Sequence, residues 1–198
     1  MPDRSNEKAT ESIGEPFLLQ RRFAAPRALV FAALTQAEHL KHWMGPTGMV
    51  MSHCTVDLRP GGVFHYGLRP SNSAGAPVMW GKWTFREITP PERLVTVVSF
   101  SDAAGGETRH PMAPVWPLQT LSVITLADEG GTTLLTLDWR ALNASADEEQ
   151  VFNSMHASMT QGWGGTMDQL QAHLAAHSAA HSAAHLSVHP SALQHGPA

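Results

Sequence analysis

Residues 145–174 read SADEEQVFNSMHASMTQGWGGTMDQLQAHL, and their pattern is that of one long helix near the C-terminus. Ser145 followed by Glu148 fits a capping box, and the acidic first turn suits the positive end of the helix dipole. Apolar side chains then recur every three or four residues and form one stripe: Phe152, Met155, Met159, Trp163, Met167, Leu170 and Leu174. The stripe predicts a helix that buries one face against another layer of the protein.

Glycines interrupt this helix at Gly162, Gly164 and Gly165. Each glycine disfavours a helix by about 1 kcal/mol relative to alanine. We therefore expect that another part of the chain approaches the backbone closely here, or that space is left open. The stripe is also rich in methionine and tryptophan, which suits a pliable pocket.

The length of 198 residues suits one domain with tails. Residues 1–15 are polar, without periodicity, and are interpreted as a disordered leader. Residues 16–175 carry the strand and helix patterns and are expected to form the domain. Residues 176–198 shift to alanine, serine and histidine and form a low-complexity tail.

The charge and the apolar runs exclude several classes of protein. A net charge of −4 gives no general attraction to phosphates, so we expect no nucleic-acid partner. No apolar run is long enough for a transmembrane helix, and the leader lacks the apolar core of a secretory signal. Cys54 is the only cysteine, which excludes an internal disulfide and favours a cytoplasmic location. Its place in a predicted strand favours a buried small hydrophobe over a nucleophile.

Before the long helix, the patterns predict one strand, two short helices and six further strands. The first helix starts at Ala25-Pro26, and Thr35 is expected to cap the second, which runs to Trp43. The predicted strands are residues 17–23, 49–58, 63–68, 78–88, 94–100, 118–126 and 132–139. The irregular stretch 101–117 carries three apolar residues that a solvated loop would not need, namely Met112, Val115 and Trp116. It predicts either a lid that packs them on the mouth of a cavity or a loop that covers a sheet edge.

This order of elements resembles the SRPBCC, or START-like, superfamily with its helix-grip fold, also called birch-pollen-allergen-like. Within it, the chain resembles the branch of the activator of heat-shock protein ninety ATPase homologue type (C-terminal domain). The resemblance covers about residues 16–175, and it is carried by residues 22–26, 39–43, 57–62, 80–82, 87–95, 132–137 and 161–163. It implies an α+β fold: a curved antiparallel sheet of about seven strands around the long C-terminal helix, with two short helices after the first strand.

The resemblance implies three functions, because superfamily members include ligand carriers, polyketide cyclases and cochaperone domains. The first hypothesis is a non-enzymatic domain that binds a small apolar or aromatic molecule between sheet and helix. The second is a chaperone-activating, partner-binding module with a role in stress response. The third is a polyketide cyclase/dehydratase-like enzyme. A homodimer stays open as well, since a sheet edge or the Trp116 loop could pair.

The first hypothesis places a pocket between the helix stripe and the inward faces of the strands. Its predicted lining is Phe64, Tyr66, Trp83, Phe85, Phe100, Trp116, Trp139, Met155, Met159, Trp163 and Met167. The alternative for each residue is that it simply fills the core. A one-residue slip in strand register would exchange the two faces of a strand.

No catalytic motif with useful spacing is found, and no catalytic residue or cofactor is expected. The polar candidates for the cavity are Tyr66, His156, Glu87 and Asp138, whereas alternation puts His65 on the opposite strand face. A histidine beside a carboxylate inside the pocket would favour the cyclase hypothesis. Arg59 is interpreted as a structural ion-pair partner.

Histidines recur every four residues at the end of the chain: His173, His177, His181 and His185. On a continuing helix their imidazoles would share one face and could hold Zn²⁺, Ni²⁺ or Cu²⁺. No carboxylate or cysteine completes such a set, so a solvated and partly helical tail is the default interpretation.

Overall fold

The computed structural model describes residues 11–187. The elements in chain order are β1 (Phe17–Phe23), α1 (Arg27–Thr35), α2 (Ala37–Trp43), β2 (Met49–Val56), β3 (Val63–Pro70), β4 (Met79–Thr89), β5 (Arg93–Ser101), β6 (Glu107–Thr108), β7 (Gln119–Asp128), β8 (Thr133–Leu142), α3 (Ala146–Ser154) and α4 (His156–Ser187). The predicted strands and both short helices are therefore present. No helix within the described residues is long and apolar enough to cross a membrane.

All strands join one antiparallel sheet in the order β1-β8-β7-β5-β4-β3-β2, and the short β6 pairs with β5. The sheet curves, and α4 lies along its concave face. Antiparallel partners point their side chains to the same face, so the register decides which residues can meet the helix. Val98 pairs with Trp83 on one side and with Thr120 on the other, and these residues face α4. The α+β helix-grip architecture is as predicted.

The predicted single long helix is wrong in one respect, because the structure divides it at Met155. The Met155 N–H donates to the carbonyl of Phe152, only three residues earlier, at 3.1 Å. That bond tightens the turn and separates α3 from α4, a change that apolar spacing does not reveal. The capping box is confirmed, since the Glu148 N–H donates to the hydroxyl of Ser145 while the Glu148 carboxylate accepts from the Ser145 N–H.

The structure also corrects the helix starts near the N-terminus. Pro26 is the residue that precedes α1 and is not part of its first turn. Thr35 does not cap α2, because its hydroxyl donates to the carbonyl of Phe31 within α1 at 2.8 Å. Gln36 occupies the N-cap position of α2 and makes no side-chain cap bond.

The last part of the expected leader is paired with the sheet. Ile13 forms an antiparallel bridge with Leu142, and the Gly14 N–H donates to the carbonyl of Ala141 at 3.0 Å. These residues therefore differ from the expectation of a leader without structure up to Glu15. Residues 1–10 and 188–198, which belong to the predicted leader and tail, lie outside the described residues.

The closed core lies where α1, α2 and the later part of α4 meet the sheet. Its fully buried members include Phe23, Val30, Leu34, Leu40, Trp43, Leu135, Leu137, Met167, Leu170 and Leu174. The Trp43 indole N–H donates to the carbonyl of Ala33 at 2.9 Å, so the polar atom of this buried ring is satisfied. The last three apolar residues of the predicted stripe thus anchor α4.

Replacement of Leu170 by alanine should destabilise the protein strongly. Leu170 is 0 % exposed, and truncating such a leucine costs about 2–5 kcal/mol of unfolding free energy. Urea denaturation followed by circular dichroism measures this loss. The matched control is Leu18→Ala, which should change the free energy by no more than about 0.5 kcal/mol because Leu18 is 60 % exposed. Equal effects of the two changes would contradict the assignment of α4 as the anchor.

Candidate functional site

A cavity of about 500 Å³ lies between the concave face of the sheet and the first half of α4. Strand residues on its wall include Tyr66, Trp83 and Ile124, and helix residues include Met159 and Trp163. This volume falls within the roughly 300–1,000 Å³ typical of small-molecule sites. The interior is thus divided between a closed core and an open cavity.

The predicted pocket residues fall into two groups. Eight of them line the cavity: Tyr66, Trp83, Phe100, Trp116, Trp139, Met155, Met159 and Trp163. The prediction is corrected for Phe64, Phe85 and Met167, which are buried in the closed core instead. Phe64 and Phe85 each lie two residues from a lining residue of the same strand, Tyr66 and Trp83 respectively. Met167 lies one helical turn after the lining residue Trp163. Contact of the eight with a ligand stays a prediction.

Three tryptophan rings of the cavity lining pack on one another or on the buried ring of Phe152. The Trp116 ring lies 6.0 Å from that of Trp139 and 5.3 Å from that of Phe152, between ring centroids. Trp139 in turn meets Trp163 edge to face at 5.9 Å. Aromatic pairs at such distances gain from edge-to-face geometry in addition to burial. Of the three apolar loop residues that were predicted to pack inward, Trp116 is therefore the one that does so.

An ion pair holds the Trp116 loop against α3. Arg109 binds the carboxylate of Glu148 and donates to the carbonyl of Trp116 at 3.2 Å. Burial acts to raise the pKa of Glu148, but the hydrogen bond from the Ser145 N–H and the Arg109 guanidinium lower this pKa below its ordinary value. The same glutamate that caps α3 thus anchors the loop over the cavity. By contrast, Met112 and Val115 of this loop are exposed, against the expectation that they pack inward.

Tyr66 places a phenol in the cavity wall because its cross-strand partner is Gly81. A Cβ atom built on Gly81 would lie 2.5 Å from the Tyr66 hydroxyl oxygen, so only glycine leaves room for this ring. The side chain of Trp83 hydrogen-bonds the hydroxyl, and burial among the surrounding side chains raises the pKa of Tyr66 to about 12. Tyr66 is therefore neutral at physiological pH and acts as a hydrogen-bonding group, not as a base.

The other polar groups of the lining are also uncharged. The Thr120 hydroxyl accepts from the indole N–H of Trp139 at 2.7 Å and donates to the carbonyl of Val98 at 3.3 Å. His110 accepts from the Met112 N–H at Nδ1, and burial lowers the pKa of its imidazole. No Asp, Glu, Lys or Arg belongs to the lining within the described part of the chain. A buried charge on a ligand would find no partner here, which would cost several kcal/mol.

Comparison with known proteins assigns the chain to a family. The model of the family described as "Activator of Hsp90 ATPase homolog 1-like protein" matches residues 24–175. The chain belongs to this family. All residues that line the cavity fall within the matched segment. No curated protein matches the chain significantly.

Solved structures share the fold of this family domain. Protein NE0264 of Nitrosomonas europaea is 26 % identical, with a TM-score of 0.61 over 81 % of this chain and 94 % of that one. Protein Ms6760 of Mycobacterium smegmatis is 20 % identical, with a TM-score of 0.62 over 81 % and 96 %. The AHSA1 (SPO3351) protein of Silicibacter pomeroyi is 18 % identical, with a TM-score of 0.62 over 82 % and 99 %. At 20 % and 18 % identity, the proteins of Mycobacterium smegmatis and Silicibacter pomeroyi show only that the fold is shared.

The glycines of α4 in this family domain meet both expectations drawn from the sequence. A Cβ atom on Gly165 would lie 3.4 Å from Oγ1 of Thr47, so a loop approaches the helix backbone there. The same position on Gly162 and on Gly164 has no atom within 4 Å. Gly162 lines the cavity and is exposed, so space is left open beside the helix backbone there.

The structure separates the polar candidates of the cyclase hypothesis from one another. Glu87 pairs with Arg93, and Asp138 pairs with Arg140, and neither carboxylate belongs to the lining of the cavity. His156 packs against Phe152, and its Nε2 is buried without a hydrogen-bond partner in the described residues. The described lining of the cavity therefore contains no histidine–carboxylate pair.

Three further candidates, His65, Arg59 and Cys54, lie outside the lining of the cavity. His65 lies on the opposite face, as alternation predicted, and its Nε2 contacts the carbonyl of Asp102 at 3.1 Å. Arg59 is an ion-pair partner, of Asp57, as predicted. Burial raises the pKa of the Cys54 thiol, so the half-buried sulfur behaves as a small apolar group and not as a nucleophile.

Residues at the rim of the cavity escaped the sequence analysis. Met44, Gly45 and Pro46 follow α2 and line the cavity. The carbonyl of Gly45 accepts from the Thr166 hydroxyl at 3.3 Å and from the Gln169 amide at 2.7 Å, which ties the rim to α4. Thr120 and Ser122 also escaped, although their alternation with Ile124 along β7 was a readable signal.

The histidines at the end of the domain lie apart from the cavity. His173 and His177 share one face of α4, as predicted, and they meet His39 of α2, which the sequence analysis did not include. Burial, followed by the neighbouring His177 and His39, lowers the pKa of His173 to about 4. Burial likewise lowers the pKa of His39. The side chains of His181 and His185 lie outside the described residues.

Titration of the single tyrosine tests the geometry of the cavity wall. Tyr66 should ionise at a pH of about 12, above its ordinary value of 10.0, as read from the phenolate absorbance. Because the folded pKa is raised, this group's contribution to stability is complete below pH 10 and is lost as the pH rises toward 12. In the variant Gly81→Ala the new methyl group should displace the phenol and lower its pKa toward 10.0.

The matched control is Gly75→Ala, where a Cβ atom meets open space. Its tyrosine titration should equal that of the unaltered chain. An ordinary pKa in the unaltered chain would refute the enclosure of the phenol.

Proposed function

We propose that this protein binds a small, uncharged, aromatic or largely apolar molecule in the cavity between the sheet and α4, without catalysing a reaction on it. The observation that supports the proposal is a cavity of about 500 Å³ whose described lining is aromatic and carries no formal charge. A filled core would leave no cavity of this size between Trp83 of the sheet and Trp163 of the helix. Apolar cavities of this size with few polar groups are the usual form of small-molecule sites.

The polar groups of the lining define the chemistry of the ligand. The Tyr66 hydroxyl accepts from Trp83, which leaves its proton for an acceptor on the ligand. Thr120 already uses its hydroxyl for Trp139 and Val98, so it orients the aromatic wall. A planar ring system with one carbonyl or ether oxygen fits this arrangement: the ring packs on Trp139 and Trp163, and the oxygen accepts from Tyr66.

The expected affinity guides the choice of experiment. Drug-sized ligands gain about 0.3 kcal/mol per non-hydrogen atom, so about 20 atoms would give about 6 kcal/mol, or a Kd of about 40 μM. We therefore suggest native mass spectrometry of the purified chain, with extraction of bound molecules, followed by titration of the neutral fluorescent probe N-phenyl-1-naphthylamine at micromolar concentrations.

A bulkier side chain at a lining position should weaken the binding of this probe. Gly162 lines the cavity and is exposed, so the variant Gly162→Leu adds a side chain at the open side of the cavity, and the Kd of the probe should rise at least about 10-fold. Gly164→Leu is the matched control, because Gly164 lies on the same helix, has the same open surroundings and does not line the cavity. Both changes improve helix propensity, so a loss of stability does not confound the comparison. Equal binding by both variants would contradict the proposal.

The partner-binding module is a second candidate because the Trp116 loop exposes apolar side chains. Met112 is 83 % exposed, and Val115 and Leu118 are also exposed beside it. Exposed apolar groups on one loop suit a protein partner. This candidate predicts that the chain accelerates a heat-shock protein ninety ATPase and that Met112→Asp reduces the acceleration. An unchanged ATPase rate at high concentration of the chain would exclude it. A cytoplasmic location, a role in stress response and a homodimer stay predictions.

A further inference from the structure

Imidazoles of α2 and α4 cluster outside the cavity: those of His39, His173 and His177 come closest together, and the His42 ring stacks on that of His173 at 5.8 Å between ring centroids. Nδ1 of His39 lies 2.9 Å from Nε2 of His173. The ring of His177, one turn farther along α4, lies 4.7 Å from that of His39 and 4.4 Å from that of His173, between ring centroids. The cluster thus brings together residues that are 134 positions apart in the sequence.

The distances suit a metal ion. One ring nitrogen from each of the three histidines lies within 4.8 Å of the other two. Nitrogen ligands of tetrahedral zinc lie about 2.0–2.1 Å from the ion, which puts them about 3.3 Å from one another. The His39–His173 pair is already near this separation, so a small rotation of the exposed His177 ring completes the set.

The protein also orients one of the rings. Nδ1 of His177 lies 3.3 Å from the carbonyl of His173, four residues earlier on the helix. A proton on Nδ1 donated to that carbonyl leaves Nε2 as the nitrogen that can bind a metal. Such a bond from the second nitrogen to a backbone carbonyl is the usual support of metal-binding histidines.

We propose that His39, His173 and His177 form a binding site for a divalent transition-metal ion such as Zn²⁺. Imidazole ligands suit zinc, copper and nickel, and the absence of a carboxylate from this three-residue set argues against Mg²⁺ or Ca²⁺. Three protein ligands leave the fourth tetrahedral position to water or to an exchangeable ligand. His177 lies beyond residues 24–175, so the site needs a residue outside the segment that matches the family.

The position of the site gives a bound ion a structural effect. α2 leads directly into Met44, Gly45 and Pro46 of the cavity rim. An ion shared by the two helices would hold this rim against α4 in addition to the hydrogen bonds that the Gly45 carbonyl accepts.

Isothermal titration of Zn²⁺ into the full chain tests the site. The other histidines of the tail must be removed first, so the background variant carries alanine at His181, His185, His189 and His195. This background should bind one Zn²⁺ per chain. His39→Ala in the same background should raise the Kd at least 10-fold, because even partners that only support a ligand contribute about 10–100-fold.

Two further variants keep the test decisive. His177→Ala should show the same loss, and it changes an exposed side chain, so the fold is not at risk. His53→Ala on β2, which packs against His65 and Trp80 instead, should bind like the background. The proposal is overturned if the background binds no Zn²⁺ at micromolar concentrations, or if His39→Ala or His177→Ala changes the Kd less than 10-fold.

Discussion

The packing of α4 on the concave face of the sheet is the constraint on which the other features depend. Met167, Leu170 and Leu174 are buried to completion, and they fix the later half of the helix. A rigid helix on a curved surface cannot follow it along its whole length. The earlier half therefore spans the remaining concave face at a distance, and the gap is the cavity that Met159 and Trp163 line. The cavity therefore follows from the geometry of the fold and needs no separate domain.

Within the described residues, the charged side chains lie apart from the lining of the cavity. Ion pairs such as Arg93–Glu87 and Arg59–Asp57 lie on the surface, where each contributes little to stability. The described cavity lining holds hydroxyls, indoles and one imidazole, and the raised pKa of Tyr66 keeps its phenol neutral. For the ligand proposed above, a neutral interior would discriminate against charged molecules through desolvation, a form of selectivity that needs no specific contact.

The sequence predicts the faces of strands well and distances along them poorly. Alternation along the strands correctly predicted that Tyr66 and Trp83 face the helix, because the side-chain period of a strand is fixed by its backbone. It could not show that Phe64 and Phe85, two positions away, would lie in filled core, since that depends on how α4 rests on the sheet. The meeting of His39 with His173 has no local signal at all, because it arises from the crossing of two helices.

The division of the interior into a filled end and an open end has an evolutionary consequence. Most substitutions in the lining, at Met155 or Trp163 for instance, alter the shape of the cavity without removing a member of the fully buried core. The shape of the cavity can therefore drift between lineages while the backbone is retained, and solved relatives share this fold at 18 % and 26 % identity. In such a lineage, similarity of sequence is a better guide to architecture than to the shape of the cavity.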